Sequence, residues 1–170
     1  VLGRICPEIC EKVCRRKDMD APVAICHLKR FPADLDLESG SPDIPECAEP
    51  AGRKAAVIGA GPAGLSAAFY LLKKGYACTV FEKNAEPGGA LRYTISEERL
   101  PHDVLDSEID IIRRMGCEFR MEQEWGRDFR LDDLKKEFNA VFIACGKIES
   151  TELVIEEGLE QTKNRINEHS

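Results

Sequence analysis

Two groups of residues in this chain have the types and spacing for chemistry. The first is Gly59-Ala60-Gly61-Pro62-Ala63-Gly64, a G-x-G-x-x-G run between the apolar stretch Lys54–Ile58 and the amphipathic stretch Pro62–Lys74. After a strand and at the mouth of a helix, Gly59 permits a tight turn and Gly61 lets backbone approach a pyrophosphate. Gly64 lets the helix lie close to the strand, and the helix's unpaired N–H groups and dipole then face an anion. Pro62 fits the first helical turn, where its missing N–H costs nothing, and Ala63 follows it in the same turn. Glu82 closes the next apolar run, 18 residues past Gly64. A carboxylate there accepts hydrogen bonds from adenosine ribose hydroxyls and repels a 2′-phosphate. The second group is Cys6, Cys10 and Cys14, bunched at intervals of four, with Cys26 beyond them. Thiolates are soft metal ligands, and helical spacing places the three on one face.

The elements that must carry these groups can be read from periodicity. Residues 1–33 are a cysteine-rich, basic-leaning segment with two expected helices, Glu8–Arg16 and Pro22–Arg30. Residues 34–52, rich in Asp, Glu, Pro, Ser and Gly, show neither helical nor strand periodicity and read as a surface linker. From Arg53 the pattern becomes strand Lys54–Ile58, helix Pro62–Lys74 and strand Cys78–Glu82, the start of a βαβ unit. A helix over His102–Met115 follows, with apolar Val104, Leu105, Ile109, Ile111 and Ile112. After it come a strand over Cys117–Met121, a helix over Leu131–Glu137 and a buried parallel strand over Ala140–Cys145. The predicted fold class is α/β: a Rossmann-like unit over 53–146, its parallel sheet flanked by helices, preceded by the short helical cysteine-rich segment.

Composition narrows the functions available. A chain of 170 residues with 43% hydrophobic residues and a net charge of -7 has material for one core plus an extension. No apolar run approaches the roughly 18 residues of a membrane helix, and the N-terminus has no secretory apolar stretch. The expectation is a cytoplasmic protein that partners neither membrane nor nucleic acid, since both require clustered positive charge. Eight cysteines in mostly regular α/β sequence favour metal binding over a disulfide framework. Cys47, Cys78, Cys117 and Cys145 read as packed or exposed bystanders. His27, His102 and His169 have no partner pattern for catalysis, and Glu97, Glu98 and Asp106–Asp110 read as solvated faces.

The fingerprint alone does not separate FAD from NAD, because both carry the same ADP half. The next stretch, Glu82-Lys83-Asn84-Ala85-Glu86-Pro87-Gly88-Gly89-Ala90-Leu91-Arg92-Tyr93, continuing to Arg99-Leu100-Pro101, resembles the flavin-contacting segment of the NADPH-dependent glutamate synthase small-subunit family. Dihydropyrimidine dehydrogenase carries a related segment in its N-terminal part. The resemblance implies FAD as cofactor. Gly59, Gly61, Pro62, Ala63, Gly64, Glu82 and Lys83 then lie on the ADP side, and Gly88, Gly89, Leu91, Arg92 and Leu100 toward the flavin. Ser96-Glu97-Glu98 departs from the family pattern. Trp125 falls where that family's third strand turns past the adenine, a place that a packed surface aromatic would equally fill.

Gly3-Arg4-Ile5-Cys6-Pro7-Glu8-Ile9-Cys10-Glu11-Lys12-Val13-Cys14, followed by Ala21-Pro22-Val23-Ala24-Ile25, resembles the second half of the same family's iron–sulfur domain. The resemblance implies [4Fe–4S] clusters held jointly by this cysteine set and an upstream one. Cys6, Cys10 and Cys14 would be ligands, with Cys26 a candidate fourth, because lysine at position 29 is a poor substitute for the family's non-cysteine ligand. Zinc on the four cysteines is an alternative.

What the resemblance implies for activity is hydride transfer from NADPH to FAD and single-electron release into the clusters and on to a large catalytic or electron-accepting subunit. No second G-x-G-x-x-G is present for an NADPH domain, and Leu153–Lys163 looks like the start of the segment that returns to the FAD domain, which would occupy 147–170. The chain therefore reads as a fragment or truncated relative, inactive by itself. A non-catalytic nucleotide-binding or adaptor module is the competing reading.

Overall fold

A computed structural model describes residues 1–146 of the chain; the expected return segment over 147–170 lies outside the described residues. Four parallel strands form one sheet: β1 (Lys54–Ile58), β2 (Ala77–Phe81), β3 (Glu118–Arg120) and β4 (Ala140–Ile143), in the order β3-β2-β1-β4. β1 aligns Val57 with Val80 of β2 and with Phe142 of β4. The strand order reverses between β1 and β4, and that switch point is where open α/β sheets bind ligands. The helices are α1 (Leu2–Ile5), α2 (Ile9–Lys12), α3 (Ile25–Glu38), α4 (Pro62–Lys73), α5 (Ala90–Tyr93), α6 (His102–Arg114) and α7 (Leu131–Glu137).

Strand alternation divides the core between the two faces of the sheet. Val57, Cys78 and Val80 meet Leu65, Ala68 and Leu72 of α4 and Leu105, Ile109 and Ile112 of α6. Ala56, Ile58 and Phe81 point the other way, onto Leu134 and Phe138 at α7. β1 is buried from Ala55 to Ile58, as a strand covered on both faces must be. β4 departs from the expected buried strand: Phe142 and Ile143 are exposed. Among the described residues it pairs with β1 alone, so it forms an edge of the sheet.

The N-terminal third departs most from expectation. In place of one helix over Glu8–Arg16 there are α2 and a separate 3₁₀ turn, Arg15–Asp18. Pro7 forces the preceding Cys6 to extended geometry (ψ 132°), which ends α1, and Glu8 takes a left-handed conformation (φ 56°). α3, expected over Pro22–Arg30, starts at Ile25 and runs through Pro32 to Glu38, into the expected linker. The proline removes a helical N–H, yet tertiary pairing compensates: Asp34 accepts one hydrogen bond from Arg30 on its own helix and one from Arg4 on α1, each at 2.9 Å. The rest of the linker is also tied down, with the Ala48 and Ala51 N–H groups donating to the carbonyls of Lys73 and Gly75 at the end of α4.

Burial works to raise the Asp34 pKa, but Arg30 and Arg4 outweigh it and hold the carboxyl below the usual aspartate value. A depressed folded-state pKa stabilises above the unfolded value, about 3.9, and that contribution is lost as pH falls through the lower folded value. With the carboxyl partly solvated, the effect is about 1 kcal/mol. Hydrogen exchange is expected to show α1 detaching from α3 below about pH 4 while the sheet stays protected. Equal protection of α1 down to pH 2 would contradict this.

Candidate nucleotide-binding site

The turn after β1 is built as its glycines require. Gly59 has φ 104°, and a Cβ there would lie 2.4 Å from the Ala144 carbonyl oxygen at the end of β4. At Gly64 an added Cβ would meet the Gly59 carbonyl oxygen at 1.9 Å, so helix and turn touch through backbone. Gly61 faces open space, its nearest neighbour being the Gly89 Cα at 3.9 Å from an added Cβ. The N–H groups of Gly61, Ala63 and Gly64 find no acceptor among the described residues and point out of the first turn of α4. Pro62 is the first residue of that helix, as its fixed φ favours.

Glu82, immediately after β2, is buried, and its carboxylate is fully engaged by protein donors on one side. Oε2 accepts the Ala60 N–H at 2.7 Å, while Oε1 accepts the Asn84 N–H at 3.0 Å and its Nδ2 at 2.8 Å. The Ala60 carbonyl in turn accepts the Gly88 N–H at 2.8 Å. A single peptide neighbourhood thus joins the glycine turn, the strand-end acid and the paired-glycine loop.

Gly88 and Gly89 occupy positive φ (127° and 52°), and a Cβ on Gly89 would lie 2.7 Å from the Gly61 Cα. Arg92 donates through Nε to the Pro87 carbonyl at 2.7 Å and pairs with Asp106 of α6, which fixes this loop against the Rossmann core. The side chains of Leu91 and Leu100 pack within that core. Lys83 is exposed beside Glu82. Trp125 bridges to Phe129 and packs on the Phe81–Phe138 cluster at the end of β3.

Sequence reasoning passed over four contributors. Ala60 acts through its backbone and leaves no trace in residue type. Asn84 carried a usable signal, since Asn two residues past a strand-end acid readily bonds locally. Asp106 read as a solvated face, yet it anchors Arg92. Cys145 read as a bystander, yet its Cα lies 3.3 Å from where a Cβ on Gly59 would stand. Burial, and then the Glu82 charge, push its thiol above the ordinary value, opposed by Lys83.

The four candidate metal ligands are divided. Cys6 follows α1, Cys10 lies within α2 and Cys14 precedes the 3₁₀ turn, so they do not share a helix face. The Cys6 thiol lies beside Cys26 and Lys29 and is held below its ordinary pKa, first by the Glu8 N–H and then by Lys29. Cys14 is lowered by the N–H groups of Val23 and Arg16. Cys26 is buried, donates to the Gly3 carbonyl at 2.9 Å, and is pushed up by burial. Among the described residues no three His, Cys, Asp or Glu side chains gather as a metal-binding group. The residues present therefore do not amount to an iron–sulfur or zinc site by themselves.

A family model described as an NAD(P)-binding Rossmann-like domain matches residues 57–116. The chain is 38% identical over 153 residues to the glutamate synthase [NADPH] small chain of Escherichia coli, covering 88% of this chain and 32% of that one. It is 41% identical over 148 residues to the PreT subunit of the NAD-dependent dihydropyrimidine dehydrogenase of Escherichia coli O157:H7, covering 86% and 36%. Over most of its own length the chain resembles these two subunits. A further relative is the beta subunit of the NADP(+)-dependent formate dehydrogenase of Moorella thermoacetica, 40% identical over 167 residues, with 86% of this chain and 24% of that one covered. The chain thus spans between a quarter and about a third of the length of these relatives. In fold alone it resembles FprA of Mycobacterium tuberculosis solved with NADPH, at a TM-score of 0.53 and 20% identity over 64% of this chain and 25% of that one. Among the described residues no helix is long and apolar enough to cross a membrane.

Proposed function

We propose that the crevice between β1 and β4 binds FAD and that the chain is the flavin-binding part of an NAD(P)H-dependent electron-transfer oxidoreductase subunit. The observation that carries this reading is the joining of three pieces at Ala60: the glycine turn, Glu82 and the Gly88-Gly89 loop form one rim with outward N–H groups and an acid at its end. Gly61, Ala63 and Gly64 would hold the pyrophosphate through backbone N–H groups, and Glu82 the adenosine ribose. The loop from Gly89 to Arg92 would flank the flavin end, held rigid by the Arg92 bonds to Pro87 and Asp106. Lys83, beside Glu82, would face the same ligand from solvent. Bound FAD supplies the ability to take a hydride and return single electrons, and the protein's part is position and electrostatics. Glu82 disfavours a 2′-phosphate, so NADPH would bind elsewhere in a longer relative.

Cys6, Cys10, Cys14 and Cys26 are proposed as a partial [4Fe–4S] ligand set, completed by thiolates outside the described residues. N–H groups aimed at Cys6 and Cys14 favour the thiolate that iron requires. Three of the relatives are named as subunits or a small chain, which supports a larger electron-accepting partner.

The test is a titration of the chain with FAD, read by flavin fluorescence and, in parallel, by alkylation of Cys145 mapped by peptide mass spectrometry. Saturable binding at one site is expected, with Cys145 alkylated at least about tenfold more slowly when FAD is bound, because the Cys145 Cα borders Gly59 and its thiol lies 3.8 Å from the Ile58 carbonyl, beside the glycine turn. NADP competing for the same site as strongly as FAD, or Cys145 labelling that ignores FAD, would refute the assignment.

A further inference from the structure

Glu82 is the buried charged residue among those described, and its hydrogen bonding is uneven. A carboxylate offers about four lone-pair sites. Both sites on Oε1 are taken by Asn84, through its backbone N–H at 3.0 Å and its Nδ2 at 2.8 Å. Among the described residues Oε2 has one taken, by the Ala60 N–H at 2.7 Å, which leaves one site. Asn84 is itself held in place. Its carbonyl accepts the N–H of Glu122, a residue in the left-handed region at φ 56°, and the neighbouring Gln123 N–H donates to the Glu82 carbonyl at 2.9 Å. The turn after β3 thus clips the end of β2 and fixes the amide that fixes the carboxylate.

We infer that Asn84 is a positioning residue that saturates Oε1 of Glu82 and presents Oε2 alone to a ligand, so that the site selects an adenosine nucleotide with a free 2′-hydroxyl. This rests on the reading of the crevice as an ADP-binding site. The chemistry is a matter of acceptor count. With Oε1 satisfied internally, the carboxylate cannot rotate without leaving the Asn84 donors unpaired in a buried place, and such orphaning is costly. The remaining lone pair is then aimed in one direction, and one ribose hydroxyl completes it. Without the Asn84 side-chain amide, Oε1 keeps only the residue-84 N–H and regains a free site, so both oxygens offer one lone pair each and the directional preference is lost.

The 170-residue chain is titrated calorimetrically with ADP and with 2′-deoxy-ADP. Wild type is expected to prefer ADP about tenfold, the value of one hydrogen bond to a charged acceptor. In Asn84→Ala the ratio falls to within about twofold, because ADP binding weakens while 2′-deoxy-ADP binding stays unchanged. A residue that merely supports the loop would weaken both ligands together and leave the ratio intact. Asn84→Asp, nearly isosteric, carries the test should the alanine variant not fold. It places a second carboxylate against Glu82, so ADP binding, taken relative to wild type at the same pH to cancel the titration of the ADP phosphate, is weak at pH 7.5 and recovers toward pH 5.5 as the pair comes to share a proton. An unchanged ratio in Asn84→Ala, or a flat pH response in Asn84→Asp, overturns the inference while leaving the ADP site standing. No ADP binding by folded wild-type chain overturns the site assignment and the inference together.

Discussion

Gly64→Ala is expected to abolish FAD binding and to destabilise the fold by about 3 kcal/mol, at or above the upper end of ordinary overpacking. The added methyl carbon would stand 1.9 Å from the Gly59 carbonyl oxygen and 3.2 Å from Val57 Cγ1. The first of these is backbone in the phosphate-binding turn, and Val57 is fully buried in the core. Relief therefore requires α4 to lift away from β1, which carries the Gly61, Ala63 and Gly64 N–H groups out of their common direction. Gly126→Ala is the matched control. Its φ of 94° costs about 1 kcal/mol in backbone strain, but among the described residues nothing lies within 4 Å of the added atom, so FAD affinity is unchanged. Urea denaturation and FAD titration of the two variants separate the effects. A Gly64→Ala protein that binds FAD normally would show that the turn does not bear on the ligand.

Glu82→Gln is expected to lower stability by about 1–3 kcal/mol and ADP affinity at least about tenfold. The change looks conservative, and the geometry makes it severe. The carboxylate receives three N–H donors, from Ala60 and from both nitrogens of Asn84. Glutamine offers one carbonyl oxygen and turns the other position into a donor. Whichever way the amide faces, it confronts either the Ala60 N–H or the Asn84 donors with another N–H. Ala60 has no solvent to fall back on, being fully buried. Removing the charge also removes the repulsion of a 2′-phosphate, so the preference for ADP over adenosine 2′,5′-bisphosphate should shrink. Calorimetric titration of both nucleotides checks this, and equal losses for the two would argue that Glu82 does not face the ribose.

How much of this was legible in the residues varies along the chain. β1 over Lys54–Ile58 and α7 over Leu131–Glu137 fall where periodicity predicts them, and α4 and α6 end one residue short of expectation. The helices are read well because each buries one face in a repeat of 3.6, and β1 because it is a short apolar run ending at a glycine turn; both signals are written locally. The N-terminal segment was read poorly. Four-residue spacing of Cys6, Cys10 and Cys14 suggested one helix face, but Pro7 and the left-handed Glu8 break the chain between them. The second helix was expected to end at Arg30, but the Arg4–Asp34 and Arg30–Asp34 bonds carry α3 through Pro32 to Glu38. In both places a short-range rule was outweighed, once by proline geometry and once by a pairing 30 residues apart in sequence.

The sequence by itself determined the parts whose physics is local: a glycine turn between strand and helix, an acid at the end of the second strand, a paired-glycine loop, and the α/β alternation that implies a parallel sheet. Tertiary structure decided what those parts do together. Only the β3-β2-β1-β4 order brings the end of β4, with Ala144 and Cys145, against Gly59, and leaves Phe142 and Ile143 on an edge. Only folding closes the Ala60 N–H on a carboxylate 22 residues away and surrounds that carboxylate with Asn84. The reason is that a lone pair's direction and a donor's burial depend on contacts between distant residues, and no residue type or spacing encodes them.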